Sequence, residues 1–211
     1  AAPDVVPTII NRKLVILLNI GSGYRGHPLD TTISEQFFSI RDFNAYGVID
    51  SADYPATPVS IGQLADISDD PSPALAFSTA GWRLRLNQGP GEKVLGESLT
   101  LDNTVFFTSF TPGETVSECS AGTGINRLYA ISSFDGSPRT NFDRSVDDGP
   151  LTLSDRFREL RSGIPVITIN RIRSDSGETS ICVGPECLSG DELGISRRVV
   201  RRTYWFQDES Q

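Results

Sequence analysis

The sequence predicts an all-β fold built from repeated antiparallel units, the organisation of β-propeller blades, in an incomplete set. Three observations carry that expectation. Short runs of apolar, β-branched and aromatic residues recur along the chain, most of them bounded by glycine, proline, asparagine or aspartate. Helical periodicity is confined to two short pieces, neither long enough to form a layer. One pattern also occurs twice, at Leu14 to Asp42 and at Thr104 to Gly136: a buried run enters a turn and a variable loop, then an aromatic and apolar strand returns.

The elements follow in order. Leu14 to Ile20 is a continuous apolar run ending at Gly21-Ser22-Gly23, as expected of a strand covered on both faces. Phe37 to Arg41 makes the next strand, and Thr57 to Ile61 another. Gly81 to Leu86 alternates strictly, as a half-buried strand does. Lys93 to Leu95, Ser98 to Leu101 and Thr104 to Phe110 follow, the last two joined by Asp102-Asn103, which favours a hairpin turn. Arg127 to Ile131, Ile164 to Asn170, Thr179 to Val183 and Arg197 to Phe206 complete the set. Ser154 to Arg161, with Ser154 as N-cap and Gly163 beyond its end, reads as two helical turns. Val59 to Ile67 reads as a second short helical piece, and Asp135 to Pro150 as a surface loop. About a dozen strands at four per blade make three blades or slightly more, fewer than a ring needs, so an open arc is expected.

Composition bounds the function. The 211 residues are 37% hydrophobic before their 19 glycines are added, which is enough for a packed core and excludes wholesale disorder. The formal charge is −8, and residues 1 to 151 hold all of it, with 10 basic against 18 acidic side chains; the remainder is balanced at 9 and 9. Such a surface repels phosphate backbones, so nucleic acid is not an expected partner. Arg197, Arg198, Arg201 and Arg202 are read as the solvated side of a strand. The longest apolar run, Leu14 to Leu18, is far short of the ~20 residues of a membrane-spanning helix. There is no methionine and the chain opens Ala-Ala-Pro-Asp, as expected of a processed form or a piece of something longer.

Two of the three cysteines, Cys182 and Cys187, flank Val-Gly-Pro-Glu, in which Gly184 and Pro185 can reverse the chain. A structural disulfide between them fits, and it places the protein in an oxidising compartment. Zinc would need four ligands, and only Cys119 and the single His27 are left to add, so no metal is expected. Cys119 is then either free or paired outside the chain.

Gly21-Ser22-Gly23-Tyr24-Arg25-Gly26-His27-Pro28-Leu29-Asp30, followed by Phe37-Phe38-Ser39-Ile40-Arg41-Asp42, resembles the glycine-rich signature of PilY-type type IV pilus biogenesis factors, the tip-associated adhesins. The resemblance continues in order through Gly81 to Leu86, Gly91-Glu92-Lys93-Val94-Leu95, Val105 to Pro112, Gly122-Thr123-Gly124 with Arg127-Leu128-Tyr129-Ala130, Cys182 to Cys187 and Arg202 to Gln207. It implies that residues 1–211 form one domain, the later part of a C-terminal β-propeller similar to that of quinoprotein dehydrogenases. It implies a non-enzymatic factor in pilus assembly, surface adhesion and twitching motility, at the pilus tip or outer-membrane surface after passage through the periplasm. Minor pilins, the upstream part of the same protein and host surface ligands are the partners it implies. The family's Asp-rich calcium loop is missing here, and neither Asp66, Asp69 and Asp70 nor Asp143, Asp147 and Asp148 has its spacing.

Chemical alternatives are weak on their own residues. Gly21-Ser22-Gly23 after a strand suits a phosphate turn only if a helix follows, and Pro28 with Gly26-His27 opposes one. A tight strand exit at positive φ is the simpler reading. Ser22, His27 and Asp30 share one loop, but no independent feature assembles them as a triad. Trp82 and Trp205 are read as packing between blades rather than platforms for a sugar or a planar cofactor. No cofactor is expected. A quinoprotein-like periplasmic oxidoreductase and a carbohydrate-binding or scaffold propeller are the alternative functions.

Overall fold

The computed structural model describes residues 2–44, 57–113, 124–142, 149–161, 168–174, 178–193 and 195. They are all-β, in three open antiparallel sheets joined by irregular loops; the only antiparallel exception is one short parallel pairing at a sheet edge. The helical residues among them are two 3-10 turns, Ile61–Gln63 and Leu153–Arg156.

The first sheet contains β1 (Asp4–Ile10), β2 (Lys13–Gly21), β3 (Gln36–Asp42), β4 (Ala65–Asp66) and β5 (Gly81–Arg85), in the order β1-β2-β3-β5-β4. The second contains β6 (Lys93–Val94), β7 (Leu99–Leu101), β8 (Thr104–Thr111), β9 (Ile125–Ser132) and β10 (Phe157–Leu160), ordered β10-β9-β8-β6 with β7 also on β8. The third is β11 (Ile169–Arg173), β12 (Thr179–Val183) and β13 (Glu186–Ser189). Two-residue turns set the registers of two hairpins. Asn11 and Arg12 have φ of 49° and 65°, and Asp102 and Asn103 of 50° and 61°, the left-handed pair that a type I′ turn requires.

The sheets stack face to face. Phe37, Trp82 and Leu84 of the first sheet share one core with Val105, Phe107, Tyr129 and Ile131 of the second. Phe106, Leu128, Ala130 and Leu160 on the second sheet's other face share another core with Ile181, Val183 and Leu188 of the third. Consecutive residues of β8 therefore enter different cores, and the whole strand is buried. An aromatic ladder closes the first seam. Phe107 stacks on Phe37 at 3.9 Å and on Tyr129 at 4.5 Å between ring centroids, and Tyr129 leans on Phe157 at 5.3 Å.

The doubled pattern seen in the sequence has a structural counterpart. β2 and β3 are paired neighbours in the first sheet, as β8 and β9 are in the second. The described residues form three open sheets of five, five and three strands and close no ring.

Four expectations are corrected. The run Leu14 to Ile20 is covered on one face only: Val15, Leu17 and Asn19 are buried, and the alternate residues are half-exposed. Ser154 to Arg161 is no helix. Asp155 accepts a hydrogen bond from the Thr152 backbone N–H at 2.8 Å and caps a single 3-10 turn, after which pairing with β9 takes Phe157 to Leu160 as a strand. Thr57 to Ile61 forms no strand, and Val59 to Ile67 holds only the 3-10 turn before β4. β1 was not anticipated, because Pro7 interrupts its strand signal, which an edge strand tolerates. The expected strand Arg197 to Phe206 and residues 164–167 lie outside the described residues.

Candidate functional site

The glycine-rich loop after β2 is seated on the segment around β6. Gly21 and Gly23 are needed for space: a Cβ on Gly21 would lie 2.3 Å from the Val94 side chain, and one on Gly23 would lie 2.3 Å from the Val94 carbonyl oxygen. The strand exit is thus fixed by close approach to β6 more than by a left-handed turn. Ser22 closes the seat: its backbone N–H donates to the Gln36 carbonyl, and the Val94 N–H donates to the Ser22 carbonyl at 2.9 Å.

Two cations pin the loop further out. Lys93, 3% exposed, donates from Nζ to the carbonyls of His27 at 3.3 Å and Asp30 at 2.5 Å. Arg25 donates from Nε to the Leu95 carbonyl. Gly91, at φ 68°, permits the approach, since a Cβ there would meet the Asp30 carbonyl oxygen at 2.5 Å. The fixed loop presents Tyr24, with His27 tilted against it at 5.4 Å, and the exposed Leu29 and Ile33.

Beside this seat lies a buried polar cluster. Glu92 is fully buried; its Oε1 accepts from Ser109 Oγ at 2.5 Å and Tyr129 OH at 2.9 Å, and its Oε2 accepts from the Gln88 N–H at 2.8 Å. Arg127 lies 3.9 Å from Glu92 Oε1 and donates to Thr111 Oγ1 at 2.7 Å and Glu159 Oε1 at 3.0 Å. Burial, followed by the charge of Glu92, pushes the Tyr129 phenol well above its ordinary pKa. The cluster ties the segment before β6 to β8, β9 and β10 within the second sheet, and leaves Arg127 Nε buried without a hydrogen-bond partner. A strand prediction passes over it, because the partners of Glu92 are remote in sequence.

Two buried arginines act as staples. Arg41 donates to the Ala76, Phe77 and Phe134 carbonyls. Arg156 donates to those of Gly136 at 3.1 Å, Ser68 at 3.2 Å and Asp70 at 2.6 Å, joining loops of the first two sheets.

The other sequence candidates fall as follows. Cys182 and Cys187 are bonded and directly opposed across the β12–β13 hairpin. Gly184, at φ 57°, opens the two-residue turn, and the pair falls one step back, where antiparallel strands bring Cα atoms closest. Ser22, His27 and Asp30 are not joined. Ser22 Oγ exchanges hydrogen bonds with the Gln36 backbone, and the Asp30 carboxylate accepts from the Thr32 N–H and hydroxyl, which lowers its pKa. Trp82 is fully buried at the seam and donates to the Ser133 carbonyl at 3.3 Å. Asp66 pairs with Arg83 at 2.9 Å and Arg85 at 3.3 Å, Asp69 pairs with Arg85, and Asp70 accepts from the Ser72 N–H. Cys119, Asp143, Asp147, Asp148, Trp205 and the four C-terminal arginines lie outside the described residues.

Successive antiparallel sheets stacked through two cores, with a docked glycine-rich loop and a clipped hairpin, define an all-β sheet-stack architecture. That architecture is shared with the crystal structure of the Pseudomonas aeruginosa PilY1 C-terminal domain, which this chain matches with a TM-score of 0.61 at 18% identity, over 90% of this chain and 44% of that one. The chain therefore spans less than half the length of that structure's chain. No family model and no curated protein matches the sequence.

Proposed function

We propose that this chain is the sheet-stack portion of a pilus-associated, extracytoplasmic protein, a segment of a β-propeller that acts through protein contacts in type IV pilus assembly, surface adhesion and twitching motility. The likeness to the PilY1 C-terminal domain over 90% of the chain carries the reading. Support comes from the glycine-rich signature, which folds as one fixed unit on Gly91 to Leu95. The disulfide suits passage through an oxidising compartment. Minor pilins and host surface ligands are the proposed partners, and the pilus tip or outer-membrane surface the proposed location. The protein works here as a scaffold without catalysis.

Deletion of the gene in its own organism, with complementation by the full-length protein, tests the proposal. Loss of surface pili and of twitching zones, with recovery of minor pilins alongside the tagged protein, is expected. Normal piliation and motility in the deletion strain would refute it. A cofactor absorbance band in the purified full-length protein would favour the oxidoreductase alternative.

A further inference from the structure

Among the described residues the buried and half-buried arginines Arg41, Arg83, Arg85, Arg127 and Arg156 each donate to a carbonyl, a carboxylate or an amide oxygen. Arg158 is the exception. It is half-buried and makes no hydrogen bond or ion pair with any described residue. Arg158 stands opposite Leu128 and two residues before Leu160, so it shares their face of the second sheet, the face that meets the third. There it lines a cavity of about 150 Å³ together with Asn141, Phe142, Leu188 and Glu192. The walls are tied. The Arg161 N–H donates to Glu186 Oε1 at 2.5 Å, joining the end of β10 to β13, and the Thr140 hydroxyl donates to the Glu192 carbonyl at 2.8 Å. Glu192 Oε2 accepts from the Ser189 N–H at 2.9 Å and hydroxyl at 3.1 Å, which fixes its charge at the wall.

We propose that this cavity binds a small monocarboxylate, its carboxylate paired with Arg158 and its apolar body set against Phe142 and Leu188. A guanidinium at the edge of an apolar core has lost part of its hydration and gained no acceptor in return. A planar carboxylate supplies two acceptors in the geometry of its fork. Volume limits the body, because a cavity of this size holds about six heavy atoms, a ring or a short branched chain. Charge limits the head. Glu192 on the wall repels a second negative charge, which disfavours phosphate and dicarboxylates. A free acid suits the site better than the acidic side chain of a partner protein, because walls drawn from two sheets and a loop, tied on both sides, form a recess rather than a flat contact face.

Calorimetric titration of the natural full-length protein tests this, with benzoate and 4-methylpentanoate as probes and benzamide, inorganic phosphate and an aspartate-rich peptide as comparisons. At least one of the two acids is expected to bind with a Kd on the order of 1 mM or tighter, benzamide at least about tenfold more weakly than benzoate, and phosphate without displacing either acid. Arg158→Met should weaken the acids at least about tenfold while keeping the parent's unfolding temperature, since it removes no internal hydrogen bond. No binding of either acid up to about 10 mM, equal binding of benzamide and benzoate, or an affinity unchanged in Arg158→Met would overturn the proposal. Displacement by phosphate would overturn it in favour of a general anion site. A peptide that binds more tightly than both acids, and only with Arg158 present, would overturn it in favour of a partner's side chain. Should Arg158→Met fail to fold, Arg158→Lys, which keeps the charge but not the fork, answers the same question with a loss of at least about threefold.

Discussion

The two ends of the sheet stack differ. The outer face of the first sheet carries Val5, Leu18 and Ile40 side by side with Ile20 beside Phe38, bordered by Asp42, Arg83 and Arg85, whereas that of the third carries Asn170, Ser180 and Ser189 around Ile172 and the Cys182–Cys187 pair. In stacked architectures a polar outer face terminates a series and an apolar one continues it. The third sheet also has a covalent clip that the larger first sheet lacks among the described residues. A small three-stranded sheet with one core to pack against gains from such a clip.

The comparison is broken most severely at the seams that both ends depend on. Phe107→Ala opens the seam between the first two sheets and Phe106→Ala the seam with the third; each is expected to lower stability by about 3–5 kcal/mol in denaturant melts of the full-length protein. Equal losses would show that both ends lean on β8 alike. A loss confined to one variant would show that one end folds without the other.

Arg156→Met removes the donors to the buried Gly136 and Ser68 carbonyls and to the Asp70 carbonyl, and is expected to cost about 2–3 kcal/mol, measured in the same way. Burial lowers the Arg156 pKa, yet the carbonyls hold the cation in place.

Replacing both Cys182 and Cys187 by serine is expected to cost about 2 kcal/mol, since so short a loop saves little chain entropy. Hydrogen exchange should localise the loss to β11–β13 and leave β2 and β3 unchanged. Loss spread over all three sheets would show that the clip supports the whole stack.

The smallest effect belongs to the charged rim of the first sheet. Burial raises the Asp66 pKa, but hydrogen bonds from Ser68 and the charges of Arg83 and Arg85 outweigh it, so the carboxyl is held below its ordinary range. A carboxylate with a depressed folded pKa stabilises above its unfolded pKa, and that contribution is lost as pH falls through the folded value. Asp66 is largely solvated, so Asp66→Asn should cost under about 1 kcal/mol at pH 7, and the difference from the parent should shrink below about pH 4. A difference that grows on acidification would contradict the assignment.

Much of this was legible in the sequence, and the failures have physical causes. Thr104 to Phe110 reads as the buried run of the repeated pattern, and β8 is buried along its whole length because side chains on both faces meet neighbours. β2 has the same composition, but an apolar run reports what its two faces are made of and not what covers them. The 153–161 segment carries true helix-start chemistry in Asp155, which the β9 pairing overrides after one turn. The disulfide was legible because its geometry is local to one hairpin. Buried Glu92 and Lys93 were not, because their partners, Tyr129, His27 and Asp30, are remote in sequence.

The most direct test of the difference between the two ends is the pair Leu18→Lys and Ile172→Lys in the full-length protein, compared by thermal and denaturant unfolding. A lysine at the half-buried Leu18 places a charge in the apolar row between Val5 and Ile40, with an expected cost of more than about 1 kcal/mol. At Ile172 it joins a solvated face and should stay within about 0.5 kcal/mol of the parent. Two variants that both unfold like the parent would show that the first sheet's outer face is solvated as the third's is, and that the two ends are equivalent.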